Sequence, residues 1–300
     1  MVRMTDGVSR DEDSRPRRAG VVGSPVEHSL SPVLHGAAYR ALGLGHWSYE
    51  RVERDADGLY RLVGELDEDW VGLSVTMPGK QAALALADSA AERARAVGAA
   101  NTLVRTRDAG WAADCTDVDG VVGALRAAGG FAGGGSALLL GAGGTALAAL
   151  AAFAELGIPE VALVVREPAR AEDALAAAER LGVRVTTRRL DSTDLARTAA
   201  ESDVVVSTLP AGAVDERAHE LARGRLVLDV VYHPWPTPLA TAVHEGGGRL
   251  ATGLDMLLHQ AFGQVEQFTG EKAPGAVMRD ALSAATGGEL PLPLVGERGE

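Results

Sequence analysis

The string Ala-Leu-Leu-Leu-Gly-Ala-Gly-Gly-Thr-Ala at residues 137–146 constrains this chain more than any other. It runs an apolar β-forming stretch into a glycine turn and then into an Ala-rich segment. Gly141, Gly143 and Ala146 fill the G-x-G-x-x-A positions of a dinucleotide-binding turn. There the first glycine permits the tight turn and the second lets the backbone approach a pyrophosphate. The third position, a small residue, lets helix and strand pack closely. A helix that opens at such a turn offers free backbone N–H groups to phosphates. Ala/Gly-rich turns are common in a chain with 37 glycines, so the signal gains its strength from the alternation of elements downstream. Short apolar runs at 161–165, 183–187, 204–208 and 226–229 alternate with helical segments such as 145–156 and 168–181. Strands this apolar, without alternation, suit a parallel sheet covered on both faces.

The first third repeats the alternation less regularly. Residues 19–22, 46–52 and 71–76 read as strands, 31–42 and 80–86 as helices, and 101–105 with 111–115 as a hairpin across 106–110. A glycine-rich break at 129–135 precedes the dinucleotide turn, and 254–268 and 276–284 read as closing helices. With 300 residues, 46% hydrophobic and 23% charged, the fold class expected is α/β in two domains of ordinary size.

Residues 1–18 mix arginines with acids and contain no apolar run, so they read as a disordered tail without a targeting signal; residues from 287 to 300 read as a flexible tail. No stretch reaches the length of a membrane span, and a cytoplasmic protein is expected. A net charge of −12 argues against nucleic acid or an anionic membrane as partner. The single cysteine, Cys115, excludes a disulfide framework and a Cys-rich zinc site, and reads as a small packed residue. The seven histidines show no metal-ligand spacing, so no metal is expected. All but two of the 29 basic residues are Arg; the exceptions are Lys80 and Lys272.

Three strings put polar groups where a core would want apolar ones. In the first, after a strand, Ser29 and Ser31 are one residue apart, so in an extended loop both hydroxyls can face one small carboxylate. Ser31 before Pro32 also reads as a helix N-cap. In the second, Gly-Leu-Ser-Val-Thr-Met-Pro-Gly-Lys at 72–80, alternation sends Ser74 and Thr76 out on one face. Lys80 then follows at a helix start, where the macrodipole and burial are expected to lower its pKa and make it a proton acceptor. A surface lysine is the ordinary alternative. It is weakened because this chain writes nearly every other positive charge as Arg, which cannot release its proton. In the third, Asp-Cys-Thr-Asp-Val-Asp-Gly at 114–120, Asp117 either caps a helix or pairs with Lys80. Beyond the dinucleotide turn, Arg166 ends the second strand and Arg170 follows, which suits a 2′-phosphate and so NADP; Glu167 beside them leaves NAD open.

Together these strings resemble the shikimate dehydrogenase family. The similarity covers the serine loop at 29–31, the Val-Thr-Met-Pro-Gly-Lys string at 75–80 and Gly-Ala-Ala-Asn-Thr at 98–102. It continues through 115–120, the Gly-Ala-Gly-Gly turn at 141–144, Asp-Val-Val-Tyr-His-Pro-Trp-Pro-Thr at 229–237 and Gly-Leu-Asp-Met-Leu-Leu-His-Gln at 253–260. The matches run in order from about residue 20 to 285.

The resemblance implies a substrate domain of residues 19–117 and 254–286, with a Rossmann-like NADP-binding domain, 118–253, inserted between. It implies reversible reduction of 3-dehydroshikimate to shikimate with NADPH. Lys80 and Asp117 would be the catalytic pair, and Ser29, Ser31, Thr76, Asn101, Tyr232 and Gln260 would contact substrate. Gly141, Ala142, Gly143, Gly144, Thr145, Arg166, Arg170, Val230 and Gly253 would line the cofactor. An NAD-dependent quinate/shikimate dehydrogenase and a non-catalytic shikimate- or quinate-binding regulator are the alternatives, and the chain would act as a monomer or homodimer. Ser74, Cys115 and Ser207 each stand where the family usually has Asn, and Val165 and Glu167 flank Arg166 where Asn and Thr are usual. These departures bear on cofactor choice and substrate breadth.

Overall fold

The computed structural model describes residues 15–288 and 290–296. Two six-stranded sheets organise them. The first runs β2-β1-β3-β5-β6-β4, built from β1 (Arg17–Gly23), β2 (Trp47–Glu53), β3 (Trp70–Val75), β4 (Ser89–Ala90), β5 (Thr102–Arg105) and β6 (Trp111–Asp114). β1 pairs parallel with β2 and β3, and the expected hairpin β5–β6 adds to β3 antiparallel. Helices α1 (Ser31–Ala41), α2 (Ala56–Glu65), α3 (Lys80–Leu86) and α4 (Glu92–Val97) connect the strands. The sequence pattern does not announce α2 or α4. α2 is amphipathic and capped by Asp55, whose side chain accepts from the N–H of Gly58.

The second sheet is parallel throughout, in the order β12-β11-β10-β7-β8-β9. Its strands are β7 (Ser136–Leu140), β8 (Glu160–Val165), β9 (Arg184–Arg189), β10 (Val204–Ser207), β11 (Leu226–Asp229) and β12 (Arg249–Thr252). Counted from β7 this is the doubly wound 3-2-1-4-5-6 order, whose switch point lies between β7 and β10. Its inner strands β7, β8, β10 and β11 are buried on both faces, as their composition predicts, whereas β9, expected as a buried strand at 183–187, is an edge strand with none of its six residues buried, because it has no neighbour beyond it. Ala137, Leu139, Leu163 and Val206 face one core, while Leu138, Leu140, Val164 and Val205 face another. Helices α5 (Asp117–Ala127), α6 (Gly144–Glu155) and α7 (Glu172–Leu181) serve the first of these cores. α8 (Leu195–Glu201), α9 (Ala218–Leu221) and α10 (Pro238–Glu245) cover the second.

The chain then returns. α11 (Gly253–Thr269) opens with a reciprocal capping box between Thr252 and Asp255 and buries Leu258, Ala261 and Val265 against Leu34, Ala38 and Tyr39 of α1. α12 (Gly275–Ala285) joins the same cluster. Two tail expectations need correction. Arg17 and Arg18 belong to β1, held by parallel pairing with β2. Leu292 is fully buried against α1, α11 and α12, because burial of an apolar side chain offsets the entropy of ordering the segment. The rest of the expected N-terminal tail up to residue 14, and residues 289 and 297–300, lie outside the described residues.

Candidate functional site

The carboxyl ends of the two sheets face a cleft of about 500 Å³, within the range of small-molecule sites. Its lining includes Ser29, Ser31, Thr76, Lys80, Asn101, Asp117, Tyr232 and Gln260 together. Every expected substrate residue is therefore in one place, although they come from the turn after β1, the start of α1, the turn after β3, the start of α3, the residue before β5, the start of α5, the loop after β11, and α11.

Lys80 begins α3 and reaches Asp117, the first residue of α5, with Nζ 2.5 Å from Oδ2. The helix-cap alternative for Asp117 fails: Thr116 occupies the N-cap position, and the Asp117 carboxylate is spent on Lys80 and on Asn101 Nδ2 at 2.9 Å. The expectation for Lys80 also needs correcting. Burial works to lower its pKa, but the Asp117 carboxylate outweighs burial and leaves it above the ordinary lysine value. Lys80 is thus a held ammonium in the resting protein, a proton donor first. Cys115 is buried behind the pair, with its thiol pushed up to about 12 chiefly by burial. It stays a neutral packed group.

Asn101 is oriented by the backbone. Its Oδ1 accepts from the N–H of Thr116 at 2.7 Å, so Nδ2 must point at Asp117 and at Gln260 Oε1, 3.2 Å away. Ser29 and Ser31 depart from the extended-loop picture. Ser31 is the first residue of α1 and Leu30 is its N-cap, without a side-chain cap; the N–H of Ser31 instead donates to Ser29 Oγ at 3.3 Å. Ser29, not Ser31, thus serves the helix start. Tyr232 sits half-buried on a loop that Asp229 anchors through Thr237 Oγ1 at 2.7 Å and the N–H of Val231 at 3.2 Å. Burial raises the Tyr232 phenol pKa.

Sequence reasoning missed Gln264. It lies one helical turn beyond Gln260, and that i, i+4 spacing on α11 was the available signal. Gln264 is 1% exposed; its Nε2 donates to the Asn101 carbonyl and to Thr102 Oγ1, so its Oε1 accepts. It receives Ser74 Oγ at 2.8 Å and lies 3.3 Å from His35 Nε2, while Tyr49 donates to Ser74 at 2.6 Å. The His35 ring stacks on Tyr49 with centroids 4.0 Å apart. Burial drives the His35 pKa down to about 3, with the Gln264 contact opposing, so the imidazole is neutral. Nothing local in the sequence joins His35, Tyr49 and Gln264, because they meet only through tertiary packing.

The opposite wall is backbone. Gly141 has φ +101°, and a Cβ there would lie 2.4 Å from Thr208 Oγ1, across the switch point. Gly143 is the N-cap of α6 with no side-chain cap, and a Cβ added there meets nothing within 4 Å. The turn is therefore open, and among the described residues no hydrogen bond engages the N–H groups of Gly144, Thr145 and Ala146 at this helix start, which fits a pyrophosphate. A Cβ on Gly144 would lie 3.3 Å from Lys80 Cδ, so the turn abuts the Lys80–Asp117 pair. Thr145, Val230 and Gly253 line the cleft itself. Gly253 is held tightly, since a Cβ there would lie 2.1 Å from the Val230 carbonyl oxygen. Ala142 is half-buried in the turn, and Arg166 and Arg170 are exposed just past the end of β8 and do not line the cleft. Among the described residues no group of three or more His, Cys, Asp or Glu could hold a metal ion, and no helix is long and apolar enough to cross a membrane.

Comparison with known proteins finds shikimate dehydrogenases. The model of the shikimate dehydrogenase substrate binding domain matches residues 21–103, and that of the shikimate 5′-dehydrogenase C-terminal domain matches residues 253–282. The shikimate dehydrogenase (NADP(+)) of a Ruegeria species is 34% identical over 90% of this chain and 99% of its own length. A crystal structure of Mycobacterium tuberculosis shikimate dehydrogenase is 52% identical, covers 90% of this chain and 100% of that one, and superposes with a TM-score of 0.84. A quinate dehydrogenase from Corynebacterium glutamicum in complex with NAD is 27% identical over 90% of this chain and 99% of its own, with a TM-score of 0.80.

Proposed function

The chain belongs to the shikimate dehydrogenase family, and from that premise we propose that it reduces 3-dehydroshikimate to shikimate with NADPH, reversibly, through Lys80 and Asp117. The observation that carries the proposal is the 2.5 Å Lys80–Asp117 contact beside the dinucleotide turn. NADPH, when bound, supplies the hydride. The Lys80 ammonium gives the proton to the ketone oxygen as that oxygen gains charge, and Asp117 holds the ammonium in line. In the reverse direction Lys80 must first lose its proton. Its raised pKa therefore makes shikimate oxidation climb with pH through the alkaline range, while reduction holds steady near neutrality.

In this reading Ser29, Ser31 and Tyr232 receive the substrate carboxylate through neutral hydroxyls, so a chain of charge −12 binds an anion by local donors. Thr76, Asn101 and Gln260 take the ring hydroxyls. Gly141, Ala142, Gly143, Gly144 and Thr145 hold the pyrophosphate, and Val230 and Gly253 shape the nicotinamide end. Arg166 and Arg170 take the 2′-phosphate. We assign residues 19–117 with 254–286, together with Arg17 and Arg18 of β1, to substrate and 118–253 to cofactor, and we place the protein in the cytoplasm as a monomer or homodimer.

A four-cell spectrophotometric grid tests the proposal: shikimate or quinate, each with NADP or NAD, following reduced nicotinamide at alkaline pH. The expected signal is strongest with shikimate and NADP. A dominant quinate and NAD cell would move the chain to the quinate reading, and silence in all four would refute dehydrogenase activity.

A further inference from the structure

We propose that Arg93 is a positioning residue for the Lys80–Asp117 pair, a clamp that fixes the start of α5 from outside the cleft. The inference rests on the reading of that pair as the proton-handling couple. Arg93 sits in the first turn of α4 and has 29% of its side chain exposed. Its Nε and Nη2 donate to the two oxygens of Asp114 at 2.7 and 2.6 Å, and its Nη1 donates to both oxygens of Asp119 at 2.8 Å. Gln267 of α11 adds a bond to Asp114 Oδ2 at 2.7 Å. One guanidinium thus joins α4, the end of β6, the first turn of α5 and, through Asp114, α11.

Asp114 and Asp119 bracket Asp117 in the chain. Asp114 Oδ1 also receives the N–H of Cys115 at 2.7 Å, so the clamp holds the backbone that leads into α5. α5 has no side-chain cap of its own. From inside the cleft the segment is held by Asn101, which receives the N–H of Thr116 and donates to Asp117. Arg93 supplies the outer restraint. Burial opposes ionisation of Asp114, yet the Arg93 bonds hold its carboxyl below the ordinary carboxylate range; Asp119, where burial wins, is held above it. A planar fork can span both carboxylates, and a lysine ammonium cannot.

The direction in which the Lys80 pKa moves separates positioning from simple electrostatics. The titratable groups facing Lys80 are Asp117 and the buried Cys115 thiol. Removing the Arg93 charge and exposing the charges of Asp114 and Asp119 would favour the Lys80 ammonium, and so would any wetting of the cleft. Only a lost or lengthened Asp117 contact lowers the Lys80 pKa. The chain holds just two lysines, Lys80 and Lys272, so [15N]lysine labelling gives two ammonium signals to titrate by NMR in the full-length protein.

The test compares wild type with Arg93→Gln and Arg93→Lys. We expect the Lys80 titration midpoint to move down in Arg93→Gln and also in Arg93→Lys, which keeps the charge and loses the fork to Asp114 and Asp119. kcat for 3-dehydroshikimate reduction should fall by roughly 10- to 100-fold in Arg93→Gln, the cost of misplacing a reacting group by about 1 Å. KM should change by less than about threefold. A Lys80 midpoint at or above the wild-type value, or an unchanged kcat, overturns the proposal. Should Arg93→Gln fail to fold, Arg93→Lys decides by the same two readouts. If wild type itself turns over no substrate, the proposed activity fails, and the lysine titration still decides the clamp.

Discussion

The two walls of the cleft present their hydrogen-bonding groups in opposite ways. The wall built on the first sheet is made of side chains whose hydrogen-bond polarity is committed in advance, from Tyr49 through Ser74 and Gln264 to Thr102, Asn101 and Asp117. The wall built on the parallel sheet offers backbone N–H groups at an uncapped helix start beside glycines, with the hydroxyls of Thr145, Thr208 and Tyr232 around them. The difference arises from what each ligand presents. A ring bearing several hydroxyls can be told from its analogues only by donors and acceptors in fixed order. A pyrophosphate is satisfied by any array of N–H groups at a helix start. Substitutions on the first wall should therefore damage chemistry and specificity, and substitutions on the second should damage packing and cofactor affinity.

The sharpest test on the first wall is Asp117→Asn. It keeps the shape and removes the charge that holds Lys80, and kcat for reduction is expected to fall by roughly 10²- to 10⁴-fold with little change in the KM for NADPH, read by steady-state kinetics. On the second wall, Gly141→Ala forces a side chain into φ +101° and against Thr208. It should cost about 1–3 kcal/mol of stability and raise the KM for NADPH while leaving the KM for 3-dehydroshikimate in place; thermal unfolding and kinetics together check it. Equal effects on both substrates would break the comparison.

A third test uses pH. Burial holds the His35 pKa down at about 3 against an ordinary 6.5, so below 6.5 the unfolded chain binds a proton that the folded chain refuses. The stability this group contributes is complete above pH 6.5 and is lost as pH falls from there toward about 3. Denaturant midpoints at pH 7 and pH 5 should show that loss, and His35→Gln should flatten it. The smallest effect belongs to Arg166→Ala with Arg170→Ala. Among the described residues no hydrogen bond or ion pair engages the side chain of either arginine, so stability should hold while the preference for NADP over NAD drops by about tenfold, roughly one charge-assisted contact.

Much of this is legible in the chain because the signals are local. The apolar runs that form β7, β8, β10 and β11, and the glycine turn at 141–144, carry their meaning within ten residues. Lys80 is marked by its rarity among basic residues. Its pKa is not legible, because the helix start is visible in the sequence and the distance to Asp117, 37 residues away, is not. Ser31 reads as a cap because Pro32 follows it, whereas the helix begins one residue earlier and Ser29 takes the N–H. Arg93 and the His35–Tyr49–Gln264 cluster join segments far apart in the chain, which periodicity cannot reveal.

The central claim is that the proton moves through Lys80. The direct measurement is kcat for NADPH-linked reduction of 3-dehydroshikimate by Lys80→Met, with NADPH binding followed separately by fluorescence. A loss of at least about 10²-fold in kcat is expected, with NADPH affinity and the folded state preserved. A variant that turned over at close to the wild-type rate would contradict it.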